Sequence, residues 1–129
     1  MKNVLKLAGM VLLFQSFQCD DPIIEKSRTD YIEELQLEKQ SIKEYIASFP
    51  CDETIGCDFI AFGSKPCGGS WEYLVFSNAV DLVYLTNKVN NYNTLESAYN
   101  SEFGIVSDCG VVNPPTSVGC IENVCVILP

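Results

Sequence analysis

Apolar residues recur along this chain with two periods. The clearest pattern steps by three and four: Leu82, Leu85, Val89, Tyr92, Leu95, Tyr99 and Phe103 fall on one stripe of a helix of about six turns. Gly104 follows at once and predicts the stop, since glycine adopts the left-handed backbone of a helix C-terminus without steric cost. Ser77 or Asn78 is the expected cap, with Asp81 in the first turn where the helix dipole favours negative charge. Asn87, Asn90, Asn91, Asn93 and Asn100 lower helix propensity and leave room for a kink or break around Asn90 to Thr94. A second stripe, formed by Ile32, Leu35, Ile42, Ile46 and Phe49, predicts an amphipathic helix capped by Thr29 and ending before Pro50. Glu33, Glu34, Glu38, Lys39, Lys43 and Glu44 lie mostly off that face, and the run reads as a solvated surface.

Between the two helical patterns the period shortens. Residues 58–62 and 71–77 read as strands, apolar on both faces and so expected to be buried within a sheet. The connecting loop, residues 63–70, holds Pro66, Gly68 and Gly69, which suit a tight turn, and Cys67, which can pin it. After Gly104 the pattern predicts a short strand ending at Cys109, a turn at Asn113-Pro114-Pro115 and a hairpin. In the hairpin Glu122-Asn123 form the turn, Ile121 faces Val124, and Cys120 faces Cys125 in a position that suits a cross-strand disulfide. The expected fold is a single α+β domain over residues 29–129, two helices packed on a small, mainly antiparallel sheet.

The N-terminus follows neither period. Lys2 and Lys6 precede an apolar run, Leu7 to Phe14, that is too short to span a bilayer and reads as an export signal over residues 1–18. The run closes at Cys19, which Asp20-Asp21 follow directly. A cysteine in that place resembles the lipidation site of bacterial lipoproteins, and acidic residues straight after it are similar to the surface-export signal of Bacteroidetes lipoproteins. The resemblance implies an acyl chain such as palmitate on Cys19, a tether over residues 19–28, and an outer-membrane address facing outwards. The run Cys67-Gly68-Gly69 with Trp71, Tyr73 and, downstream, Ser107-Asp108-Cys109 resembles small uncharacterised bacterial exported proteins, and no activity comes with that resemblance.

Cysteine arithmetic agrees with export. Of seven cysteines, assigning Cys19 to lipid leaves Cys51, Cys57, Cys67, Cys109, Cys120 and Cys125, an even set for up to three disulfides that would stabilise a core small for its surface. Zinc is the weaker reading, because the spacings are awkward and the chain has no histidine. The lack of histidine also removes Ser-His-Asp and Cys-His catalysis. With Lys2 and Lys6 set aside, six basic residues against seventeen acidic ones leave −11, a charge that repels nucleic acid and anionic lipid.

Candidate chemistry is therefore sparse. Asp58, Glu72, Asp81 and Asp108 lie near expected strand ends, and a carboxylate pair could hydrolyse a glycosidic bond, but their spacing marks no two as partners. No calcium-loop motif is present, and no cofactor is implied. The candidate binding loop is the one around Lys65, expected to stand exposed at its tip, with Trp71 and Tyr73 on the following strand as aromatic contacts or core residues beneath a helix. A disulfide-pinned loop presenting a lysine resembles the inhibitory loop of small secreted protease inhibitors. The expectation is thus a non-enzymatic lipoprotein whose domain binds a protein or glycan partner, with a protease or hydrolase inhibitor as the second reading and a carboxylate glycan hydrolase as the third.

Overall fold

The structure, a computed structural model, describes residues 25–129. The stretch expected to be an export signal, Cys19 and most of the expected tether lie outside the described residues. The domain is a disulfide-stabilised α+β fold of two helices and two antiparallel pairs of strands.

Helix α1 spans Arg28–Ala47, and its cap lies two positions before Thr29. Ser27 is the cap: its Oγ accepts from Asp30 N at 3.2 Å, and Asp30 Oδ2 accepts from Ser27 N at 3.0 Å, satisfying two helix-end donors reciprocally. Thr29 has no acid three positions on with which to build the same box. Helix α2 spans Leu82–Glu102 without interruption, so the asparagines do not break it. Its cap is Asp81, whose Oδ1 accepts from Tyr84 N at 3.0 Å; Ser77 instead ends the preceding strand and donates from Oγ to Pro50 O at 2.9 Å. Gly104 takes φ +58° just past the helix end, as its position predicts.

The helices run antiparallel against each other. Tyr31 packs on Tyr99 and Phe103 at one end, and Tyr45 on Tyr84 at the other, with Tyr45 Oη accepting from Asp81 N at 3.1 Å. Beneath them lie β1 (Cys57–Phe62) and β2 (Glu72–Ser77), paired with Ile60 opposite Leu74 and Phe62 opposite Glu72. Period-two alternation sends Ile60, Phe62, Leu74 and Phe76 to the helix side, where they meet Leu35, Ile42, Leu85, Val89 and Tyr92 in one core. Phe62 and Tyr92 stack with centroids 4.3 Å apart, and Ile42 and Leu85 have no exposed surface. Burial on both faces is only half realised, because the opposite face of the pair is covered at the Cys57 end alone and Ala61 is exposed.

That cover is the second pair, β3 (Val118–Ile121) and β4 (Val124–Ile127), with Cys120 opposite Cys125 and Ile121 opposite Val124 as the pattern predicts. Glu122 and Asn123 turn the hairpin with φ +50° and +65°, the backbone of a primed turn. The expected Cys120–Cys125 bridge does not form: the disulfides are Cys51–Cys120, Cys57–Cys125 and Cys67–Cys109. Facing cysteines share one side of the hairpin, here the side laid over β1 and β2, so each reaches across the layer rather than sideways. Cα separations of 5.9 and 5.8 Å across the layer match the preferred disulfide span, which closely facing strand positions undercut. Residues 105–109 form no strand; Cys109 sits in irregular chain tied to the loop through Cys67.

Candidate functional site

The loop after β1 is held to α2 by three side chains of one helical face. Gly63 N donates to Asn93 Oδ1 at 2.8 Å, Ser64 N donates to Glu96 Oε2, and Asn100 Nδ2 donates to Ser64 O at 2.7 Å. Steps of three and four place these side chains together along the edge of the apolar stripe. Asn93 and Asn100, read from propensity as weak points, are the residues that dock the loop. Gly63, Gly68 and Gly69 supply left-handed backbone at φ +90°, +99° and +85°, and Lys65 N donates to Gly69 O at 2.9 Å to close the turn.

Lys65 is not at an exposed tip. The residue is 7% exposed, and Nζ donates to Asp108 Oδ1 and to Gly110 O, both at 2.9 Å, with the Trp71 ring 5.1 Å from the ammonium. The cause is the Cys67–Cys109 bridge, which brings an acceptor-rich stretch of the tail against the loop and gives the buried ammonium its partners. Trp71 is 41% exposed and lies against Gly63 and Lys65 instead of under a helix. Tyr73 stands on the sheet face opposite the helices, edge-on to Phe59 with centroids 5.6 Å apart. It borders a cleft of about 390 Å³ between the loop at 68–70 and the tail at 110–112.

The four carboxylates singled out by position do not come together. Asp58 Oδ1 accepts from Phe59 N, Asp81 caps α2, and Asp108 holds Lys65, whose hydrogen bond keeps its carboxyl below the usual range. Glu72 pairs with Lys39 at 2.6 Å. The neighbour of Glu72 is Glu96, which sequence reasoning missed: burial pushes its carboxyl up, against the opposing pull of Ser64 N, the Tyr92 hydroxyl and Lys39. Burial, with the Glu96 charge beside it, pushes the Tyr92 phenol up as well. The signal for Glu96 was its place four residues after Tyr92 and four before Asn100, a polar rim beside the stripe. With its oxygens engaged by Ser64 and Tyr92, Glu96 is built to anchor the loop.

The Sγ atoms of Cys51, Cys57 and Cys125 lie within 4.8 Å of one another, where the two layer-crossing disulfides run side by side. As disulfide sulfurs they offer no thiolate to a metal or an electrophile. Asn123 locks this corner, accepting from Cys51 N at 3.1 Å through its main-chain carbonyl and donating from side-chain Nδ2 to Cys51 O at 3.2 Å.

Beside that corner runs a groove of about 240 Å³, walled by the last turns of α1 with Phe49, by β2 from Leu74 to Ser77, and by the hairpin at residues 123–125. Its lining is mainly apolar, and Lys43 stands at its rim. Lys43 is distinctive: among the described residues it is the basic side chain with no ion pair, hydrogen bond or aromatic neighbour, whereas Lys26, Lys39, Lys65 and Lys88 have carboxylates and Arg28 holds Tyr99. No protein-family model matches the chain, and comparison with curated proteins and with solved structures gives no match.

Proposed function

We propose that this protein is a lipid-anchored outer-membrane lipoprotein, facing outwards, whose domain is a non-enzymatic binding module for a macromolecular partner. The observation that supports it most is the pairing of the cysteines. Cys51, Cys57, Cys67, Cys109, Cys120 and Cys125 are consumed in three bridges, none of which takes Cys19, the cysteine at the end of the apolar run. Three disulfides in a domain of this size fit an oxidising compartment. Among the described residues the carboxylates have structural partners or lie on the surface, which favours binding over catalysis. An inhibitor presenting Lys65 is the poorer reading, because that lysine points inwards.

The test uses whole cells. Labelled palmitate enters the protein, Cys19→Ala abolishes the label and releases the domain from the membrane, and crosslinking on intact cells traps the domain with a partner. Absence of label, or a Cys19→Ala protein still bound to membranes, rejects the anchor; absence of any crosslinked species rejects the binding module.

A further inference from the structure

The groove beside β2 exposes main chain as well as apolar walls. Asn78 N donates to Gly56 O at 3.2 Å, one position beyond the paired strands, and hydrogen-bonded pairs alternate along an antiparallel ladder. Phe76 and Leu74 therefore bond to β1, and the N–H and C=O of Val75 point the other way, out of the edge of β2. β4 lies near β2 but belongs to a separate pair of strands, so among the described residues that edge carries no strand. An open edge is a template for one more strand.

We propose that the β2 edge takes an extended polypeptide segment of a partner, hydrogen-bonded to Val75, with an apolar side chain in the groove and a carboxylate against Lys43. Backbone pairing supplies affinity in such strand addition, and the pockets beside the strand supply selectivity. Ile46, Phe49 and Val124 form an apolar seat on both sides of the strand. Charge chooses the end group: between positions 25 and 129 six basic residues face fifteen acidic ones, and Lys43 is the one without a partner. A second copy of the domain is the poorer occupant, since each copy carries the same acidic excess and self-pairing brings like charges together. The inference rests on the binding-module reading and gives it a site and a ligand chemistry.

The test uses the full chain in detergent with its three bridges formed. The probe is an array of synthetic peptides alternating valine and threonine and ending in aspartate, serine or lysine, with copies N-methylated on alternate residues. Aspartate-ended peptides are expected to bind at least about tenfold more tightly than lysine-ended ones, a charge-assisted contact being of that order. Lys43→Glu inverts that preference, and N-methylation abolishes binding. Val75→Pro does the same while keeping the fold, because an outward edge N–H is not part of the ladder. Lys43 is exposed, so its variant keeps the proposal open to refutation even where the proline does not fold. Binding that ignores the end charge or N-methylation, no binding by any peptide, or concentration-dependent pairing of the domain with itself overturns the proposal. Cell-surface crosslinks that persist in Lys43→Glu overturn the site and spare the binding-module reading; the loss of crosslinks in the wild-type protein removes that reading itself.

Discussion

Lys65 Nζ and Asp108 Oδ1 meet at 2.9 Å, and Cys67 and Cys109, two residues and one residue further along the two segments, are covalently joined. Loop and tail are thus fastened at adjacent points, once by charge and once by sulfur. The two partners differ in surroundings: the Lys65 side chain is 6% exposed and that of Asp108 76%. Lys65→Met returns a carboxylate to water that already surrounds it, whereas Asp108→Ala strands an ammonium with Gly110 O and the Trp71 face. Asp108→Ala is therefore expected to lower the denaturation midpoint more than Lys65→Met, measured in parallel chemical melts. Because the folded carboxyl of Asp108 lies below its ordinary value, the contribution of the pair is complete above the unfolded pKa and is lost as pH falls through the depressed folded one.

Glu96 behaves in the opposite sense. Its folded pKa is raised, so its ionisation disfavours the fold: the protonated form adds stability below the unfolded value, and that gain disappears as pH rises through the folded one. Glu96→Gln keeps an acceptor for Ser64 N and removes the charge. Its stability is expected to equal that of the wild-type protein in acid and to exceed it near neutrality, in melts followed across pH. A variant less stable at every pH would show that the ionised carboxylate itself holds the loop.

The bridges can be read chemically. Digestion without reduction is expected to release peptides joined through Cys51–Cys120 and Cys57–Cys125, and a Cys120–Cys125 species would contradict the layered arrangement. Replacing Cys51 and Cys120 together by serine leaves Cys57–Cys125 closing nearly the same span, so only the short segments between the two bridges are freed and the expected cost is about 2–3 kcal/mol of stability, measured by denaturant titration.

Two glycines of the same loop separate strain from crowding. At Gly68, with φ +99°, an added Cβ meets nothing within 4 Å, so Gly68→Ala costs only backbone strain of about 1 kcal/mol. At Gly63, with φ +90°, the Cβ would lie 2.6 Å from Trp71 Cδ1, and Gly63→Ala is expected to cost roughly twice as much or more. Loss of the Trp71 fluorescence signature should accompany only the second.

Much of the fold was legible because it depends on local pattern. The α2 stripe, the strand pair and the Glu122-Asn123 turn follow from spacing and backbone preference, which act over a few residues. What failed depended on distant contacts. Asn93 and Asn100 look like helix weakeners until the loop that they bind is in place, and Lys65 looks like an exposed tip until Asp108 arrives from 43 positions away. The partners of Cys120 and Cys125 lie in another layer, which facing positions within one hairpin cannot reveal. The groove was equally hidden, because its walls come from α1, β2 and the hairpin, segments far apart in the chain.

The first bridged cysteine is Cys51, so α1 lies wholly outside the span that the three disulfides enclose. A pull applied through the N-terminus, the end at which an acyl chain on Cys19 would hold the protein, meets only noncovalent contacts until α1 has peeled away, and then meets sulfur. The chain beyond Cys51 cannot be drawn out straight by such a force, and its hairpin and loop stay tethered to one another. Stretched at its mooring, this protein would lengthen by one helix and then stop.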